Sequence, residues 1–207
     1  MAHWETACRW LIRLVLGGPI CLLASCGGPG GEGCGGVDTS VSCVSITNIE
    51  PVDGSGTATS DVDVTFNQDC NGDGVLDDPE PFTAHGATVT FSNSTFPTAD
   101  NGLPVTIRSV TVSYSLLICP PGAVCPPLTG FTQNVSFNIP ADATTSDEFP
   151  LVPLSVKNEF TAQGGSSAAF PTYGANYTFT GTTDFFNDTI TIEGSTSVVL
   201  GGFNNCE

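Results

Sequence analysis

Basic side chains are scarce in this chain: four Lys and Arg stand against 21 Asp and Glu, for a formal net charge of −17. Arg9 and Arg13 lie near the start, so from residue 26 onward only Arg108 and Lys157 remain. A surface this acidic repels phosphate backbones and anionic headgroups, which excludes nucleic acid as a partner, while it attracts divalent cations. Tryptophan is absent after Trp10, and histidine is confined to His3 and His85. A single imidazole beyond the start is a poor basis for nucleophilic chemistry, and His85, beside a turn in Thr83-Ala84-His85-Gly86, reads as a surface residue. There is no GxSxG elbow, and the lack of any CxxC argues against zinc held by cysteine pairs. Sustained helical periodicity is missing too, because Thr, Ser, Val, Gly and Pro dominate where a helix needs Ala, Leu, Glu and Lys.

No apolar run is long enough to span a bilayer as a helix, since Leu14 to Ala24 is roughly half of the ~20 residues required. With Arg9 and Arg13 before it, that run reads as an export signal. It closes on Leu23-Ala24-Ser25-Cys26, which is similar to the lipobox of bacterial lipoproteins. The resemblance implies cleavage before Cys26, acylation of that cysteine, and a membrane as partner through more than one acyl chain, as stable anchoring requires. It also implies outer-membrane attachment, because Gly27 stands where an inner-membrane retention signal would place Asp. Residues 1–25 are therefore expected to be a signal peptide. Residues 26–40 follow as the lipidated cysteine and a glycine-rich tether, and 41–207 as the folded domain. The ten residues Gly27 to Gly36 reach roughly 18 Å as a flexible coil, which keeps the domain near its membrane.

Setting aside Cys8, Cys21 and Cys26, six cysteines remain: Cys34, Cys43, Cys70, Cys119, Cys125 and Cys206. An even number in an exported chain points to disulfides. Only Cys119 and Cys125, bracketing Pro120-Pro121-Gly122-Ala123-Val124, are close enough to pair on spacing alone.

From Val41 onward the pattern is period two. Val62, Val64 and Phe66 alternate with Asp61, Asp63 and Thr65, and Ala87, Val89 and Phe91 alternate with Thr88, Thr90 and Ser92. Val105 and Ile107 lie on odd positions and Val110, Val112, Tyr114 and Leu116 on even ones, so a bulge or bend is expected at Arg108-Ser109. Further strands are expected at Val135 to Ile139, Val152-Leu154-Val156, Tyr177 to Phe179, Ile190 to Ile192 and Val198 to Leu200, with a turn at Phe186-Asn187-Asp188. About eight short strands imply an all-β fold, an antiparallel β-sandwich of immunoglobulin type, with a jelly roll as the alternative. The closing segment, Tyr177 to Thr183 and on through Gly194 to Val198, resembles the last hairpin of small immunoglobulin-like sandwich lipoproteins of Gram-negative bacteria, whose function is uncharacterised.

The sharpest local feature is Asp69-Cys70-Asn71-Gly72-Asp73-Gly74-Val75-Leu76-Asp77-Asp78-Pro79-Glu80. An EF-hand loop offers calcium side-chain oxygens from its first, third and fifth positions, a carbonyl from the seventh, often a water from the ninth, and both oxygens of a closing Glu. Here those are Asp69, Asn71, Asp73, Val75, Asp77 and Glu80, with Gly74 at the sharp turn and Leu76 at the apolar position that follows. Pro79 and Pro81 exclude the exit helix and a strand replaces the entering one, so the loop resembles those of thrombospondin type 3 repeats and similar extracellular modules. Such a loop lacks the helix pair of a calcium switch, and its expected role is structural.

The chain is thus expected to be a non-catalytic, lipid-anchored module of the cell envelope, stabilised by calcium and disulfides. Its expected partner is an envelope protein or polysaccharide, met through loop tips, above all Cys119 to Pro127. Two alternatives stand beside that reading. A calcium-dependent carbohydrate-binding module would need Tyr114, Tyr173 and Tyr177 on one exposed face. A hydrolase would need two of the many carboxylates in facing positions.

Overall fold

Strands form in this chain wherever apolar side chains alternate with Thr, Ser or Asn, because one face can then be buried while the other stays wet. The computed structural model describes residues 37–39, 42–69, 73, 75, 78–79, 82–96, 99, 101–184 and 188–203. In order they form β1 (Val37–Asp38), β2 (Ser42–Val52), β3 (Asp61–Asp63), β4 (Asn67–Gln68), β5 (Asp78–Pro79), β6 (His85–Thr95), β7 (Val105–Ile118), β8 (Phe131–Ile139) and β9 (Ala143–Val152). Then come α1 (Leu154–Ala162), a short 3-10 turn at Ser167–Ala169, β10 (Thr172–Thr183) and β11 (Thr189–Gly201).

The strands make a four-stranded sheet in the order β1-β2-β6-β9, a five-stranded sheet in the order β3-β11-β10-β7-β8, and a small ribbon of β4 with β5. Every pairing is antiparallel except β3 with β11, at the edge of the larger sheet. The two large sheets close on one core. Val44, Val89, Phe91, Phe149 and Leu151 come from one sheet, and Ile107, Val110, Val112, Phe179 and Ile192 from the other. Phe179 spans the interface, with its ring 5.0 Å from that of Phe91 and 4.9 Å from that of Phe149. Each such side chain contributes about 1.5–3 kcal/mol over its exposed state. The whole buried cluster lies between Val44 and Leu200, inside the compact unit Cys34–Glu207.

The expected bulge is present. The β7–β8 ladder steps from Ile107↔Phe137 to Ser109↔Asn134, and the β7–β10 ladder from Gly181↔Ile107 to Thr180↔Ser109, so both skip Arg108. Three expectations change. Val152 to Val156 is not a strand: β9 ends at Val152, Pro153 follows, and α1 begins, burying Val156 and Phe160 one helical turn apart. Ile190 to Ile192 and Val198 to Leu200 are one strand, β11, whose apolar pattern breaks at Gly194. That glycine packs so closely on Ile49 and Ile46 that a Cβ would lie 2.8 Å from the Ile49 side chain. The strand at Val62 stops at Asp63, and Phe66 is 61 % exposed while Asp63, on the supposed wet face, is buried. Residues 1–36, where the expected leader, Cys26, Cys34 and most of the expected tether fall, lie outside the described residues, as do Cys70, Cys206, Phe186 and Asn187.

The sandwich has two distinct ends. At the first, the chain enters through β1, and Val105, Ile139, Thr95 and Asp142 are neighbours, with the Thr95 backbone N–H donating to the Asp142 carboxylate at 2.8 Å. At the second, strands β2, β7, β9 and β11 reach their C-terminal ends, and there lie α1, the β4–β5 ribbon and the loop Cys119 to Gly130.

Candidate metal loop and the end of the sandwich that carries it

The loop from Asp69 to Asp77 springs from an anchored base. Beyond β3 the Val64 N–H donates to the carbonyl of Gly201 at 2.9 Å, which holds the chain to β11. The Asp63 Oδ1 accepts from Thr65 N–H at 3.1 Å, Thr65 Oγ1 at 2.8 Å and Phe203 N–H at 3.2 Å. Its Oδ2 is buried and has no hydrogen-bond partner among the described residues. The β4–β5 ribbon then pairs Asn67 with Pro79 and Gln68 with Asp78, drawing the two ends of the loop together.

Of the six sequence-predicted ligands, Asp69, Asp73 and Val75 are described, while Asn71, Asp77 and Glu80 lie outside the described residues. The Asp73 N–H donates to Asp69 Oδ1 at 2.9 Å, and the Val75 N–H donates to Asp73 Oδ1 at 2.8 Å. Each carboxylate therefore accepts from backbone a few residues further along its own loop, as Asp side chains do in tight turns. Among the described residues no three His, Cys, Asp or Glu side chains converge on a common point. The donor set at hand, hard carboxylate oxygens with a backbone carbonyl at Val75, fits calcium chemically.

Beside β3, two ionisable side chains are buried. His85 is 5 % exposed rather than on the surface, and its Nε2–H donates to the carbonyl of Asp61 at 3.0 Å. Burial, reinforced by the charge of Lys157, lowers its pKa below the ordinary value of 6.5. Lys157 is only 1 % exposed, and its ammonium sits 4.8 Å from the centre of the Phe82 ring. Phe82 in turn meets Phe66 edge-on at 5.9 Å. These rings, with Val64, Leu154, Asn158 and Thr161, line an open groove of about 670 Å³ between the β3 exit and α1.

The second loop at this end is closed by the Cys119–Cys125 disulfide, with Cα atoms 6.0 Å apart. Inside it the Ala123 N–H donates to the Pro120 carbonyl, and Gly122 adopts φ +80°, a conformation that favours glycine. Ser166 straps the loop down: its N–H donates to the Val124 carbonyl at 2.9 Å and its Oγ accepts from Val124 N–H at 2.8 Å. Glu159 of α1 holds the returning segment, accepting from Thr129 N–H at 2.9 Å and Thr129 Oγ1 at 2.6 Å, and these bonds keep its carboxyl below the usual range. Cys43 is disulfide-bonded as well.

The three tyrosines do not form an exposed stacking face. Tyr173 and Tyr177 are 1 % exposed and Tyr114 is half-buried. Their hydroxyls donate to the carbonyls of Pro126, Pro150 and Leu151 respectively. Burial pushes the Tyr173 hydroxyl up to about 12 and those of Tyr114 and Tyr177 higher still, so all three act as neutral donors that pin loops onto the core. Sequence reasoning missed α1 and its Lys157 and Glu159. The available signal was Val156 and Phe160 at helical spacing after Pro153.

No known protein family matches the chain, and neither does any curated protein. Among solved structures, an Arabidopsis thaliana protein determined in solution is similar at 11 % identity and a TM-score of 0.36, over 83 % of this chain and 88 % of that one. A crystal structure of an Archaeoglobus fulgidus protein is similar at 9 % identity and a TM-score of 0.35, over 75 % of this chain and 97 % of that one. Likeness at this level assigns no family and no activity.

Proposed function

We propose that this protein is a non-catalytic module of the bacterial cell envelope, anchored by lipid on Cys26 at the outer membrane, with an immunoglobulin-like sandwich stabilised by calcium in residues 69–80 and by disulfides. The observation that carries the reading is the pair of bonds from Asp73 N–H to Asp69 and from Val75 N–H to Asp73, inside a loop whose ends the β4–β5 ribbon holds together. Two carboxylates held within five residues of one loop concentrate negative charge that a divalent ion would neutralise, and the acidic chain raises the local concentration of such ions. The disulfide-closed loop and the exposed apolar side chains near it make this end the natural contact surface.

Calorimetric titration of calcium into oxidised residues 34–207, beside the Asp69→Ala/Glu80→Ala variant, tests the reading. Saturable binding that the double substitution abolishes supports it. No heat, together with equal melting in calcium and in chelator, overturns the calcium part.

A further inference from the structure

The geometry points to Ser113–Ile118, the far end of β7, as a pairing edge through which two copies of this chain associate. The β8 ladder leaves β7 at Val112↔Phe131, whereas β10 continues beside it to Thr172↔Ile118. Among the described residues, the last six of β7 therefore have a ladder on one side only, and no described strand covers the other. The returning chain passes beside them without forming a ladder: Gly130 packs against Val112 and Ser113, Cys125, Pro127 and Leu128 line a pocket with Tyr114 and Leu116, and Thr129 turns to Glu159, which leaves Leu117 and Ile118 the least covered.

The last three side chains of this edge, Leu116 to Ile118, are apolar and exposed. The β10 ladder skips Leu117 between Tyr173↔Leu116 and Thr172↔Ile118, and this bulge leaves both Leu117 and Ile118 facing solvent, 57 % and 58 % exposed. Leu116 and Val124 beside them are 45 % and 50 % exposed. Elsewhere the outer face of this sheet carries Thr111, Asn176, Thr178, Glu193 and Ser195, so the apolar patch is confined to the end of the strand. Protein edges are ordinarily blunted with charge; this one has none.

Charge selects the occupant. No Asp, Glu, Lys, Arg or His occurs between Arg108 and Asp142, the longest uncharged run in a chain of net −17. Two copies repel wherever their acidic surfaces meet, and this hairpin lets them approach without opposing like charges. A two-fold pairing places the same uncharged patch on both sides, so complementarity is met by symmetry. A lipid surface fits less well, because unpaired strand N–H and C=O groups are costly in hydrocarbon, whereas a second strand satisfies them.

This inference deepens the interaction-module reading and rests on it, but its test is independent of calcium: a monomer that still titrates calcium overturns the pairing and leaves the rest standing. The experiment is sedimentation of residues 34–207, the unit that holds the whole core, over a wide concentration range. The expected result is a concentration-dependent dimer that strengthens with added salt, as screened repulsion requires. Leu117→Asp weakens it at least tenfold, and Thr191→Asp, on the outer face of β11 away from the edge, leaves it unchanged. Ser113→Asp serves as a second edge variant should Leu117→Asp lower the melting temperature. A species that stays monomeric throughout, or a dimer indifferent to both edge substitutions, overturns the inference.

Discussion

Glu159 accepts hydrogen bonds from both the backbone N–H and the hydroxyl of Thr129, so one carboxylate of α1 ties down the chain that returns from the disulfide loop. Glu159→Ala should free that segment while leaving the sheets intact. Amide exchange at Thr129 is expected to accelerate at least tenfold, with only a small fall in melting temperature. Unchanged exchange at Thr129 would show that the strap holds nothing.

Calcium should stabilise the fold modestly. With the affinity of extracellular modules, about 10⁻⁴ to 10⁻³ M, tenfold excess over Kd contributes about 1.4 kcal/mol. For a domain of this size that raises Tm by about 3–5 °C. Asp73→Ala, which removes the acceptor for Val75 N–H, should abolish the difference between calcium and chelator.

His85 sets a pH dependence whose sign is fixed by its burial. Its pKa in the fold lies below the ordinary 6.5, so as pH falls the unfolded chain takes up a proton that the folded one refuses. Stability is therefore full above that value and declines below it, by no more than about 1.4 kcal/mol per pH unit. Asp53, Asp63 and Lys157 set the field around the ring. Melting curves between about pH 7 and pH 5 should slope downward for the native chain, and His85→Gln should flatten the slope. A parallel slope in both would assign the effect to carboxylates instead.

Removing the Cys119–Cys125 bridge by double substitution to Ser should cost about 2 kcal/mol in the chain-entropy description, confined to a loop tip. Denaturant midpoints measure the cost, and the calcium titration should be unaffected. A loss of calcium binding in that variant would mean that the two loops at this end are coupled.

What the sequence made legible was decided by whether a pattern was local. The bulge at Arg108 could be read because the apolar residues change parity between Ile107 and Val110. The first half of β9, Ala143 to Glu148, offered no such signal: its residues are largely exposed, and the strand exists because β6 supplies hydrogen bonds through Asn93, Ser92 and Thr90. Helix α1 is nine residues long and buries Val156, Lys157 and Phe160, so its only local signal was the four-residue spacing of Val156 and Phe160, which the period-two spacing of Val152, Leu154 and Val156 masked. Asp69 and Asp73 were marked by spacing alone, and the structure adds the bonds that join them. The burial of His85 follows from a partner 24 residues away, the Asp61 carbonyl, which no local pattern could reveal.

Strand β7 runs the length of the domain, from the end where the chain enters to the exposed edge at Ser113–Ile118. At ~3.4 Å per residue, Ser115 stands about 35 Å from Val105. Antiparallel pairing at that edge would turn the second copy head to head with the first. The two points of chain entry would then lie about 70 Å apart and face in opposite directions. A pair built in this way would hold its two β1 strands at opposite extremes rather than side by side.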